Sequence, residues 1–182
     1  SYLVEQIKSG VDKGKKRADN AVLYRSNAQS RAIEEALLQA NMPYRVYGGL
    51  RFFERAEIKD VLSYLRLIAN RNDDAAFERI VNTPTRGIGA ATLTQLRQYA
   101  REQSQTLWQA TSDLLESQFF AARAGNALNG FITLIDSLTP ETELPLHELT
   151  SLVIEETGLR THHAKDKTEK GQGRIENLDE LI

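Results

Sequence analysis

From residue 56 to residue 69, apolar side chains recur at Ile58, Val61, Leu62, Leu65 and Ile68, the spacing of a single helical face. That period constrains the fold more than any other feature, because it returns along the rest of the chain. Ala76, Phe77, Ile80 and Val81 share one face of the next stretch, and Leu93, Leu96 and Ala100 one face of the stretch after it. Residues 107–116, 121–137, 146–157 and 175–182 read as further helices, and residues 159–173 as a charged, glycine-containing loop. Asn72-Asp73 supplies an N-cap, so Asp73 and Asp74 read as capping residues rather than catalytic carboxylates.

Before Gly48-Gly49 the pattern changes. Residues 2–9 suggest a short helix with Leu3, Val4 and Ile7 on one side, and residues 10–20 a polar, lysine-rich loop. Ala21-Val-Leu-Tyr24 reads as a buried strand, residues 30–40 as a helix, and Tyr44-Arg-Val-Tyr47 as a second strand. A strand–helix–strand unit implies parallel strands joined by a right-handed crossover. Two strands cannot cover their own edges, so this unit reads as a piece of a larger α/β layer. The expected fold is therefore mainly α: a helical domain preceded by a partial α/β segment.

Composition narrows the function. The chain has 182 residues, 26% charged and 41% hydrophobic, which suits a globular protein of one or two domains. It has no cysteine, which excludes disulfide, thiolate and zinc–sulfur chemistry. No apolar run approaches a membrane span and no signal-peptide pattern opens the chain, so a cytoplasmic protein is expected. The net charge of −2 hides an asymmetry: residues 1–102 carry 17 Lys and Arg against 12 Asp and Glu, and residues 103–182 carry 6 against 13. A basic first half fits a polyanionic partner on one side, although charge runs are usually solvated faces.

The motif with chemical content is Gly87-Ile88-Gly89, between the two helices that end near Val81 and begin near Ala90. Two glycines around one apolar anchor make a tight turn whose amides no Cβ covers. Those amides open a helix, where free N–H groups and the helix dipole favour a phosphate, and Arg86 can add a charge-assisted contact. A plain C-cap glycine and turn is the bland alternative. Arg55, Lys59 and Arg66 fall in one stripe beside the apolar face of residues 56–69; it reads equally as a phosphate-contacting stripe or as a solvated flank paired with Glu54 and Asp60. Catalytic patterns are missing. Gly10-Val-Asp-Lys-Gly14-Lys15 is one residue short of a phosphate loop and lacks the following Ser or Thr. His147, His162 and His163 show no metal-ligand spacing, and His162-His163 reads as solvent-exposed.

The resemblance rests on Ala21-Val-Leu-Tyr-Arg-Ser-Asn-Ala-Gln-Ser-Arg31, on the run from Tyr47 to Leu67, on Asn82-Thr-Pro-Thr-Arg-Gly-Ile-Gly89 and on Gly173-Arg-Ile-Glu-Asn-Leu178. With these the chain resembles the UvrD/PcrA/Rep group of superfamily-one DNA helicases. The resemblance implies that residues 1–48 begin the second of two RecA-like motor domains (2A). Residues 49–182 then form most of the helical insertion called 2B, with its helix-hairpin-helix-like GIG motif. It implies ATP-driven, 3′-to-5′ DNA unwinding in nucleotide excision and mismatch repair, in a bacterial, nucleoid-associated protein. No cofactor belongs to this stretch, because ATP and magnesium sit elsewhere in such a helicase. The implied partners are DNA, both duplex and single-strand/double-strand junction, and repair proteins of those pathways. Arg25 and Asn27 match single-strand contacts; Gly87, Ile88 and Gly89 match the backbone grip on duplex, with Arg86, Thr92, Lys59 and Arg66 alongside. Gly48 and Gly49, paired at the junction of the two parts, allow backbone angles closed to other residues and are expected to act as a hinge. A protein-interaction or autoinhibitory role for the helical domain, docking through its acidic second half, is the alternative.

Overall fold

The computed structural model describes residues 2–25, 27–47, 49–140 and 144–182. Among them the regular elements are all helices: α1 (Tyr2–Asp12), α2 (Ser30–Gln39), α3 (Ala56–Ala69), α4 (Asp74–Ile80), α5 (Ala90–Gln103), α6 (Leu107–Glu116), α7 (Ala122–Ser137), α8 (Leu146–Glu156), α9 (Leu159–Ala164) and α10 (Glu169–Leu181). Short 3-10 turns at Arg17–Asp19, Asn27–Gln29 and Phe52–Glu54 join them.

The apolar face of α3 explains the arrangement. Ile58, Val61, Tyr64 and Leu67 are fully buried, and α4, α7, α8 and α10 pack around that helix. Only a narrow strip of it, including Ala56, Lys59 and Arg66, faces solvent. Phe77 of α4 meets Phe131 of α7 edge to face at 5.4 Å inside the same core. Where α3 stops, Arg71 binds the last turn through the carbonyls of Leu67 and Ile68 and also donates to the Thr139 hydroxyl beyond α7. Its guanidinium lies 4.7 Å over the Trp108 ring of α6. One side chain thus joins three helices. Asp73 caps α4 by accepting from the Ala76 amide at 2.9 Å, as the sequence indicates. A smaller cluster of Val4, Leu37 and Met42 holds α1 to α2.

The expected strand–helix–strand unit is not present: among the described residues there is no strand. Residues 21–24 and 44–47 are irregular, with Leu23 95% exposed and Tyr47 80% exposed. An apolar run of four residues carries no period, and a strand exists only through ladder hydrogen bonds to a neighbour. Here the described residues offer no neighbouring strand, so only α2, whose bonds are internal, survives from the expected unit. Tyr44 instead packs beside the small cluster and donates its hydroxyl to Glu34 at 3.0 Å.

Two further expectations are corrected. The stretch read as a charged loop holds α9 and the first turn of α10, and His163 within it is buried at 6% exposure. Gly171 makes that hairpin possible, because a Cβ there would stand 2.0 Å from the Asp166 carbonyl oxygen. Arg55 does not join the stripe of α3. It is 7% exposed and precedes the helix as its N-cap residue.

Candidate nucleic-acid interface

The turn between α4 and α5 is shaped from inside. Asn82 directs one oxygen at two amides, accepting from Arg86 at 2.8 Å and from Ile88 at 3.3 Å. Ile88 is 2% exposed and seals the turn against the core, while Gly87 and Gly89 on either side of it face solvent. Gly87 has φ of +84°, a conformation that L side chains rarely adopt. Gly89 is extended (φ −80°, ψ 163°), and nothing lies within 4 Å of where its Cβ would be. It is the N-cap of α5, yet it has no side chain with which to cap. The first amides of that 14-residue helix therefore lack a side-chain acceptor. Thr92, half-buried, follows in the first turn.

Arg86 points inward. Its guanidinium donates to the Ile80 carbonyl at 3.0 Å, to the Pro84 carbonyl at 3.2 Å and to the Tyr64 hydroxyl, and stacks 5.5 Å from the Phe131 ring centre. Tyr64 in turn donates to the Thr83 carbonyl at 2.6 Å. Burial pushes the Tyr64 phenol up to about 12, with the Arg86 charge acting against that rise, so the hydroxyl stays a donor at any working pH. Arg86 is thus an internal strut of the turn.

The exposed cation at the turn is Arg123, on the first turn of α7. Its Nη2 lies 4.0 Å from the position of a Gly87 Cβ, and no acidic partner faces it among the described residues. Sequence reasoning passed over it, since no local pattern relates residue 123 to residue 87; the approach is purely tertiary.

Lys59 and Arg66 lie on the exposed strip of α3, roughly 140–160° around the helix from Tyr64 by helical geometry. Lys59 has no ionic partner among the described residues. Arg66 is held by Asp73, with Nη2 to Oδ2 at 2.7 Å and Nε to Oδ2 at 2.9 Å. The Ala76 amide, and then Arg66, keep the Asp73 carboxyl below its ordinary value. The structure therefore brings Asn82, Arg86, Gly87, Ile88, Gly89 and Arg123 together, and leaves Lys59 and Arg66 on a separate flank.

Arg25 lies in an exposed bend before α2. The Arg25 amide donates to Gln29 Oε1 at 3.0 Å, and Asn27 opens the 3-10 turn that packs on α10. Gly48 lies outside the described residues; Gly49 is in an exposed bend. No group of three His, Asp or Glu side chains among the described residues converges as a metal site would require.

The profile of the UvrD-like helicase C-terminal domain matches residues 1–182, the whole chain. The chain belongs to that family. Among its relatives, DNA helicase II of Escherichia coli (strain K12) is 62% identical over 182 residues, and that of Haemophilus influenzae is 55% identical over the same length. The ATP-dependent DNA helicase PcrA of Staphylococcus aureus is 39% identical over 184 residues. All of this chain is covered in each comparison, but it spans only 25% of each relative's length.

Proposed function

We propose that the chain is the DNA-gripping part of an ATP-dependent 3′-to-5′ DNA helicase that works in excision and mismatch repair. In this reading the α4–α5 turn holds duplex by its backbone near a single-strand/double-strand junction. ATP and magnesium are handled elsewhere in the helicase. The observation that carries the reading is the first turn of α5 at Gly89, whose amides no side chain caps, beside the solvent-facing Gly87 and the exposed Arg123 guanidinium. Main-chain amides and one guanidinium suit a phosphate and are indifferent to base sequence, as a motor moving along DNA requires. Thr92 offers a hydroxyl within the same first turn. Arg86 and Ile88 serve by holding the cradle in shape, and Lys59 and Arg66 meet a second stretch of backbone on the flank of α3. Arg25 and Asn27 engage the single strand, and Gly48-Gly49 is the hinge that lets residues 49–182, the 2B domain in this reading, turn on the preceding segment.

Gly89→Thr tests the cradle cleanly. Nothing near Gly89 obstructs a side chain, and Thr is a good N-cap, so thermal stability should hold or rise. The new side chain would occupy the amides that the phosphate needs. Fluorescence anisotropy with a blunt DNA hairpin should show duplex affinity falling about tenfold, the size of one lost charge-assisted contact. Undiminished affinity in the folded variant would refute the backbone grip.

A further inference from the structure

Five cations stand within ten residues at the end of α1: Lys8, Lys13, Lys15, Lys16 and Arg17, with Asp12 the one carboxylate among them. All five are exposed, and none has an ionic partner among the described residues. The backbone gathers them. Gly14, at φ +88°, turns the chain, and the Lys15 amide closes on the Gly10 carbonyl at 3.0 Å. The Lys15 side chain lies over Gly10, its Cδ 3.7 Å from where a Cβ would stand. A 3-10 turn, Arg17–Asp19, follows at once. Asp19 accepts there from the Lys16 amide at 3.0 Å, and Asn20 Nδ2 donates to the Lys16 and Arg17 carbonyls at 3.2 Å and 3.3 Å. Cations in the last turn of a helix complement its dipole, but the last turn of α1 holds none, so that effect does not explain the cluster. Unpaired like charges in so short a folded segment repel one another, and an external polyanion relieves the repulsion. Long, exposed stems ending in point charges suit a line of phosphates and read no base sequence.

We propose that Lys13, Lys15, Lys16 and Arg17, with Lys8 beside them, form a second phosphate-backbone site for nucleic acid, separate from the α4–α5 turn. The site belongs to the small Val4, Leu37 and Met42 cluster and not to the core around α3, so the chain meets nucleic acid at two places. The inference rests on reading the chain as DNA-binding, not on the duplex grip itself.

The test is the slope of log affinity against log salt, read by fluorescence anisotropy with a blunt hairpin and with a single-stranded oligonucleotide. Lys13→Gln, Lys15→Gln and Lys16→Gln together should make the slope shallower by about 2–3, at roughly 0.9 per lost duplex phosphate and roughly 0.7 per single-strand phosphate. The probe that shows the loss tells which form of backbone is bound, and either supports the site. Lys16→Gln alone should give about a third of the change and decides the matter if the triple variant fails to fold. As a control, Lys165→Gln, Lys167→Gln and Lys170→Gln neutralise three equally exposed lysines of the α9–α10 hairpin and should move the slope by less than about 0.5. An equal loss in the control means that net charge alone is at work and overturns the inference. So do slopes unmoved on both probes, even if the variant loses binding to polyglutamate, the result that an acidic protein partner would give. Gly89→Thr separates this site from the duplex grip. Unmoved slopes with a loss in Gly89→Thr remove the lysine site alone; a slope loss with Gly89→Thr unaffected supports the lysine site and removes the grip. No binding of either probe by the unsubstituted chain removes both.

Discussion

A single oxygen of Asn82 sets the conformation on which the candidate site depends, because it accepts from both amides that flank Gly87. Asn82→Ala would leave these amides without their acceptor and should cost about 1–3 kcal/mol, read from the midpoint of urea unfolding. Asn82→Asp keeps the acceptor and should retain most of that stability, but its negative charge beside the cradle should still weaken duplex binding. Equal stability losses in the two variants would show that the acceptor is not what matters. At this scale the sequence was partly legible. The pair of glycines announced a turn that side chains could not form, and the φ of Gly87 agrees. The direction of Arg86 was not legible. Whether an arginine beside a turn points out to an anion or in to carbonyls depends on where Tyr64 and Phe131 stand, and these come from other helices. The same is true of Arg55, which shares a helical stripe with Lys59 by arithmetic but is drawn inward by Asn177 and Ser30.

Among elements, the helices with a sustained apolar period were legible, and α3 and α6 have the expected bounds. Two kinds of element were not. The four-residue runs at 21–24 and 44–47 carry too few residues for a period, so their apolar character was mistaken for burial. The α9–α10 hairpin was hidden by its charges: Lys165, Asp166, Lys167, Glu169 and Lys170 look like a loop. What permits the hairpin is the absence of a side chain at Gly171, which lets α10 lie against the Asp166 backbone. Gly171→Ala places a methyl 2.0 Å from that carbonyl oxygen and must push the helices apart. It should destabilise the chain by about 1–3 kcal/mol, the usual range for overpacking, despite the better helix propensity of alanine. Hydrogen exchange should quicken in α9 and α10 first. A variant as stable as the parent would mean that the hairpin is held loosely enough to yield.

For the molecule as a whole, acid should act through His163. Both of its ring nitrogens are buried without a hydrogen-bond partner. Burial, then His162 and Arg174, push its pKa below the ordinary value, against the pull of Glu57 and Asp166. A folded-state pKa below the unfolded one, about 6.5, means that the contribution to stability is complete above that pH and is lost as pH falls through the folded value. Melting temperature should therefore drop between about pH 7.5 and about pH 5, and His163→Leu should flatten that drop relative to the parent. Burial holds Asp60 above its ordinary value with Arg79 opposing, which works in the other direction, so the comparison between parent and variant isolates the histidine. An identical acid limb in both proteins would assign the pH dependence elsewhere. The Arg55–Asn177 bond joins residues 122 positions apart. At a synthesis rate of roughly 5–20 residues per second, Asn177 is added roughly 6–24 s after Arg55. Through that interval the arginine has Ser30 within the chain already made, but not Asn177. The central helix is thus made well before the last of its packing partners, and a nascent chain paused before residue 177 lacks the side chain that completes the junction at its N-terminal end.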